Sequence, residues 1–271
     1  MGGLFMEKNA YKRDDMVSAM VEKLRQADFV HAVWEAGAAS FGRVDEWSDI
    51  DLYVVCDEDR IENVITLIEQ TLHNMGQVDL KFRVPEPTWH GNSQVFWRLK
   101  ESSPFLFVDA AIMKESSKEK FLQYSIHGKP LVHFDKTGVI KDDPVDIEKY
   151  FQDMKTRVES HKTTFEMFQV LVLKELNRGN AMEALSYYLS YILRPLVEVL
   201  RMKHSPWHYR FFTTYVYYEM PAEIVDRLHR LYFVNDEKTL KKCREEAETW
   251  FWDVVKTMDW DEVKKRLVSP E

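Results

Sequence analysis

The spacing of apolar positions changes along the chain, and each change predicts a change of element. Met16, Val17, Met20, Val21 and Leu24 recur at helical spacing after Asp14 and Asp15, which predicts a first helix with its acids at the positive end of the dipole. Phe29 to Trp34 reads as a strand, Gly37 and Gly42 bracket a tight turn, and Ile50 to Cys56 alternates as a second strand. Ile61, Val64, Ile65, Ile68 and Leu72 return to the helical period, with Gly76 placed to cap it. From there the period is two. Val78, Leu80, Phe82 and Val84 alternate with Asp79, Lys81 and Arg83, and Val95 to Lys100 and Phe105 to Met113 follow as extended segments around Ser102, Ser103 and Pro104, expected to be neighbours in the sheet. Ser116 and Glu119 have capping-box spacing, predicting a short helix to Tyr124, and Leu131 to Phe134 reads as one more strand.

Lys136 to Asp146 carries neither period and contains Gly138 and Pro144, which marks it as a linker. Beyond it the stripes are helical. Phe165, Phe168, Leu171, Val172 and Leu176 form one; Ala181, Leu185, Tyr188, Ile192, Leu196 and Val199 form a second, with a kink expected near Pro195. Ile224, Leu228 and Leu231 form a third, and Leu240 to Met258 a fourth after Asp236 as N-cap. Such stripes call for an all-α helical bundle. The expectation is an α+β chain with one domain at 1–140 and a C-terminal helical domain at 145–271.

The length of 271 residues suits two domains, and a composition 45% apolar and 30% charged is that of a folded globular protein. A net charge of −8, from 37 basic and 45 acidic residues, disfavours a general attraction to nucleic acid. Cys56 and Cys243 are far apart and lack zinc-ligand spacing, which fits a reduced, cytoplasmic protein. Met1 to Arg13 lacks the apolar core of an export signal, and no run of about 18 apolar residues predicts a membrane partner.

The chemistry concentrates in Gly37-Ala38-Ala39-Ser40-Phe41-Gly42 and the nearby Ser48-Asp49-Ile50-Asp51-Leu52. Strand alternation puts Asp49 and Asp51 on one face while Ile50, Leu52 and Val54 point to the core. Two close carboxylates repel, and a divalent cation relieves that. Alone, the pair reads more simply as solvated strand-end acids. Glycines just upstream, able to bring backbone amides close to a phosphate, favour the metal reading.

Together these residues resemble the signature of the nucleotidyltransferase superfamily, and the layout resembles the aminoglycoside nucleotidyltransferases, particularly the streptomycin 6-adenylyltransferase group. The motif match covers Gly37 to Val55; similarity over 14–135 is one of layout. The resemblance implies a nucleotidyltransferase fold with a mixed β-sheet and flanking helices. It also implies Mg²⁺ or Mn²⁺ on Asp49, Asp51 and a third carboxylate, with these acids catalytic, and an NTP, here ATP, as co-substrate. AMP would pass to a hydroxyl of a small-molecule acceptor by a two-metal mechanism. Asp109, the one acid in the otherwise apolar Phe105 to Ile112, is the choice for the third carboxylate, with Asp79 as competitor. Gly37, Ala38, Ser40, Gly42, Arg43 and Ser48 fall at nucleotide-binding positions of the motif. The family's serine after the first glycine is Ala38 here, which keeps open a catalytically weakened nucleotide sensor. Arg98, Lys174, Arg178 and Arg194 are further candidates for the cleft or the triphosphate, each weighed against an ordinary solvated charge.

Overall fold

Met16, Val17, Met20, Val21 and Leu24 are the buried stripe of α1 (Arg13–Gln26), whose Asp14 and Asp15 begin it and whose Lys23 and Arg25 end it, both favourable to the dipole. The structure, a computed structural model, describes residues 11–268. Residues 1–10, on which most of the expectation about an export signal rests, lie outside them. The chain divides into two compact units that meet between Pro144 and Val145.

In the first unit α1 is followed by β1 (Val30–Glu35), a single helical turn α2 (Gly37–Ser40), β2 (Ile50–Cys56) and α3 (Ile61–Met75). Then come β3 (Val78–Arg83), β4 (Ser93–Leu99), β5 (Val108–Lys114), the short α4 (Tyr124–His127) and β6 (Leu131–Asp135). The strands form a six-stranded sheet in the order β3-β4-β5-β2-β1-β6. Only β2 and β5 pair in parallel, so the sheet is mixed, as the α+β expectation required. One face carries the main core, where α1 and α3 pack on Ile50, Leu52, Val54, Val95, Trp97, Val108 and Ile112. The opposite face has a smaller core around Trp34, Ala111, Met113 and Leu122.

Two local expectations, the helix at Ser116 and the alternation of β3, fail for identifiable reasons. Ser116 opens no helix: its N–H and hydroxyl both go to Glu58, at 2.8 Å each, and Glu119 accepts the Phe121 N–H at 2.6 Å. Gly76 caps α3 as expected, its N–H donating to the Leu72 carbonyl at 2.9 Å from an extended backbone. The alternation of β3 is broken by a bulge between Val78 and Leu80. Val78 packs on the main core, but Leu80 and Phe82 pair with Arg98 and Phe96 on the other face. Lys81 and Arg83 turn towards α3, where they meet Glu69 and Glu62, both at 2.7 Å.

The second unit contains α5 (Ile147–Phe168), α6 (Val170–Asn177), α7 (Ala181–Tyr187), α8 (Arg194–His204), α9 (Val216–Glu219), α10 (Ala222–Tyr232), α11 (Glu237–Lys256) and α12 (Trp260–Val268). The disturbance expected at Pro195 is a π-helical stretch, Tyr188–Leu193, just before it. Proline has no N–H for the carbonyl four residues back, and the backbone widens there. Asp236 caps α11 by accepting the Thr239 N–H at 2.6 Å. Asp236→Ala should lower stability in urea unfolding by about 1 kcal/mol without changing the slope. Among the described residues no helix is long and apolar enough to cross a membrane.

Candidate active site

The parallel register of β2 on β5 sets Asp51 directly beside Asp109. Paired residues face the same side of a sheet, so both carboxylates leave the face opposite α1 and α3. Asp49, two residues earlier at the entrance of β2, acts electrostatically on both. Gly37 closes the site from the β1 side. Its φ is +50°, and a Cβ built on it would lie 1.8 Å from Asp51 Oδ2. The Asp51 carboxylate therefore rests against the glycine backbone, and only glycine supplies both the left-handed conformation and the space.

No protein-family model matches the chain, and no curated protein sequence does. Solved structures do show likeness. An aminoglycoside 6-adenyltransferase from Bacillus subtilis aligns at 12% identity over 96% of this chain and 93% of that one, with a TM-score of 0.35. A spectinomycin adenyltransferase from Enterococcus faecialis, solved with ATP and spectinomycin, aligns at 9% identity over 95% of this chain and 100% of that one, with a TM-score of 0.36. Alignments this shallow carry no argument about the site; its own geometry does.

Burial is the main cause that pushes Asp51 up to about 7, and Asp49 and Asp109 add to it against the opposing charge of Arg13. Asp109 is pushed up to about 6, again chiefly by burial and further by Asp49, while Gln94 works the other way. Asp49 is raised too, by burial, against its own backbone amide and Arg13. Each carboxylate thus resists ionisation because it is partly removed from water, and Asp51 and Asp109 also because another acid is near.

Sequence reasoning missed the residues that hold these acids. Gln94 donates from its amide nitrogen to both Asp109 oxygens at 2.9 Å. Arg13 donates through Nε to the Asp49 carbonyl at 2.9 Å and through Nη2 to Glu35. Glu35, 2% exposed, also binds His133 Nε2 at 2.9 Å. Burial works to raise its pKa, but His133 and Arg13 outweigh that and hold the carboxyl below its ordinary range. The strand expected from the sequence begins at Val95, one residue past Gln94, so its pairing with the neighbouring Phe105 to Met113 is legible while Gln94's place beside Asp109 is not. Gln94→Leu should strip Asp109 of two hydrogen bonds and raise its proton affinity further. Mn²⁺ binding, followed by electron paramagnetic resonance, should weaken about tenfold at pH 6.5, where about 1.4 kcal/mol is lost, and largely recover at pH 8.5.

The competing acid is engaged elsewhere. Asp79 forms a two-pronged pair with Arg98, at 3.1 and 2.6 Å, two strands away from β5, and that hydrogen bond holds its carboxyl below the usual range. Arg98 is thereby committed to Asp79 rather than to the carboxylate site. The remaining candidates of the turn are placed as follows. Ser40 donates its hydroxyl to the carbonyls of His127, at 2.7 Å, and Gly37, at 3.0 Å. Ser48 donates to Asp45 Oδ1 and accepts the Asp45 N–H, both at 2.9 Å. The Ala38 carbonyl accepts the Arg43 N–H at 2.8 Å, and the Arg43 guanidinium lies 4.9 Å from the centre of the Phe41 ring. Gly42 has φ +64° with open space around it. In the second unit Arg178 pairs with Glu175 at 2.8 Å, Lys174 approaches the same acid at 3.9 Å, and Arg194 stands over Phe212 at 5.3 Å.

Among the described residues no three His, Cys, Asp or Glu side chains form a ready-made metal cage. What Asp49, Asp51 and Asp109 form is an open set of hard oxygen donors. Carboxylate oxygens are of the kind Mg²⁺ takes, since that ion binds through one or two of them and fills the rest of its shell with water and phosphate oxygens. The set does not fit a soft-metal site, since no Cys or His belongs to it.

Proposed function

We propose that the chain is a metal-dependent nucleotidyltransferase that moves AMP from ATP to a hydroxyl of a small molecule. The observation that supports this reading most is Asp51, coupled to Asp49 and Asp109 and seated on Gly37 at the end of a glycine-bounded turn. Divalent cations, when bound, would supply charge neutralisation between the attacking and leaving oxygens. Asp49 and Asp51 hold the triphosphate end of the site, beside the Gly37 turn. Asp109 takes the acceptor side, and in its ionised form accepts the proton of the attacking hydroxyl. The new bond joins the acceptor oxygen to the α-phosphorus; the bond from that phosphorus to the bridging oxygen breaks, pyrophosphate departs with the electron pair, and the proton passes from Asp109 to water.

A second reading, a nucleotide sensor with little or no turnover, draws on the hydroxyls of the turn. Ala38 has none, and those of Ser40 and Ser48 are hydrogen-bonded within the chain. Losing a hydrogen bond to a charged phosphate costs roughly 1.5–3 kcal/mol, enough to weaken ATP binding ten- to a hundredfold. Calorimetry with ATP and Mg²⁺, followed by pyrophosphate release against a panel of hydroxyl acceptors, separates the two. Binding with release supports the transferase; binding without release supports the sensor; no binding overturns both.

A further inference from the structure

The row that begins with the coupled carboxylates continues across the sheet. Asp51 is in register with Asp109, Asp109 with Phe96 on β4, and Phe96 with Phe82 on β3. All four side chains leave the same face. At about 4.8 Å per strand, Phe96 stands one spacing from Asp109 and Phe82 two, roughly 10 Å in all. The rings of Phe82 and Phe96 stack at 6.2 Å and 28°, and Phe107 joins Phe96 at 6.1 Å. Phe82 is 58% exposed and Leu80, beside it on β3, is 56% exposed.

This strip is not a by-product of an ordinary amphipathic strand. Without the bulge at Val78/Leu80 the apolar side chains of β3 would stay on the helix side with Val78. The bulge turns Leu80 and Phe82 outward, in line with Asp109, and spends Lys81 and Arg83 on the helix side. Phe96 and Phe107 are half-buried behind the exposed Leu80 and Phe82, and contiguous apolar surface of this kind marks binding sites more often than single exposed side chains do. Its polar neighbours are already satisfied: Arg98 and Asp79 neutralise each other, and Gln94 is bound to Asp109. The strip therefore offers no uncommitted acid to a cation.

We propose that Phe82, Phe96 and Phe107 are the acceptor shelf, and that the acceptor is an uncharged alcohol or phenol with a flat apolar ring system rather than a polycationic sugar. This rests on the nucleotidyltransferase reading. The phosphate end of the site lies at Gly37, on the β1 side of the row, so the β4–β3 side is left for the molecule whose hydroxyl reaches Asp109. A two-ring body lying on Phe96 and Phe82 spans the distance from the shelf to the carboxylate.

The test uses the full chain and two probes, 2-naphthol and the polycation tobramycin, titrated by ligand-observed nuclear magnetic resonance, with ATP and Mg²⁺ titrated separately by calorimetry. Phe82→Ser and Leu80→Ser alter exposed side chains and should fold as the parent does. The expected result is 2-naphthol binding that weakens at least tenfold in the Phe82→Ser and Phe96→Leu proteins, with ATP binding unchanged and no tobramycin binding. Equal 2-naphthol binding by parent and variants, no 2-naphthol binding by the parent, or tobramycin binding that outlasts loss of the shelf, each overturns the proposal even where ATP binds. Loss of ATP binding in the parent instead sinks the nucleotidyltransferase reading, while the naphthol titration still judges the shelf as a binding surface.

Discussion

Asp51→Asn should abolish Mg²⁺-dependent pyrophosphate release, a loss of a thousandfold or more, and at the same time make the metal-free protein more stable at neutral pH. Asparagine keeps the shape that rests on Gly37 but carries no charge. The folded protein holds the Asp51 proton up to about pH 7 and the Asp109 proton up to about pH 6, whereas an unfolded chain releases both near the ordinary aspartate value of 3.8. Between those limits the native state binds more protons than the unfolded one, so stability is highest in acid and falls as pH rises through the window. Each pH unit of such a difference is worth about 1.4 kcal/mol per group, a few kcal/mol for Asp51 before water penetration reduces it. Melting curves of the metal-free parent should drop from pH 5 to pH 7.5, Mg²⁺ should restore part of the loss, and the Asp51→Asn protein should show neither the full drop nor the full rescue. A variant as inactive as expected but less stable than the parent at pH 7.5 would contradict the repulsion argument.

Gly37→Ala carries the second large effect. The new methyl would fall 1.8 Å from Asp51 Oδ2, and φ of +50° is a region that alanine adopts only with strain. The carboxylate must move, the turn must re-form, or both. About 1–3 kcal/mol of stability should be lost, together with Mn²⁺ binding and turnover. Gly42→Ala is the control: its φ of +64° brings backbone strain, but nothing lies within 4 Å of the added carbon. It should cost about 1–2 kcal/mol and leave Mn²⁺ affinity within a few fold. Equal loss of metal affinity in both variants would mean that Gly37 matters only as a flexible residue.

The polar network beneath the site works against the burial that raises Asp49 and Asp51. Arg13 stands near Asp49 and Asp51 and is itself fixed by buried Glu35, which His133 also holds. Removing Glu35 would leave that arginine half-buried with one partner fewer, so the network acts as a unit.

The sequence by itself determined the elements and the local chemistry. Helical and strand periods report short-range geometry, and they located α1, α3, β2 and the C-terminal stripes, with Asp51 on β2 and Asp49 just before it. It also carried Asp236 as a helix cap, because a cap is a contact between residues three apart. That β4 and β5 would be neighbours was legible too, but only the tertiary structure decided the rest of the strand order and the register. Register across the sheet placed Asp109, not Asp79, beside Asp51, engaged Asp79 with Arg98, and lined Phe96 and Phe82 up behind the carboxylates. A bulge turned the side chains of β3 over, and Ser116 went to Glu58 rather than to a helix. These outcomes depend on pairings between residues far apart in the chain, whose energies come from the assembled sheet and which no local period encodes.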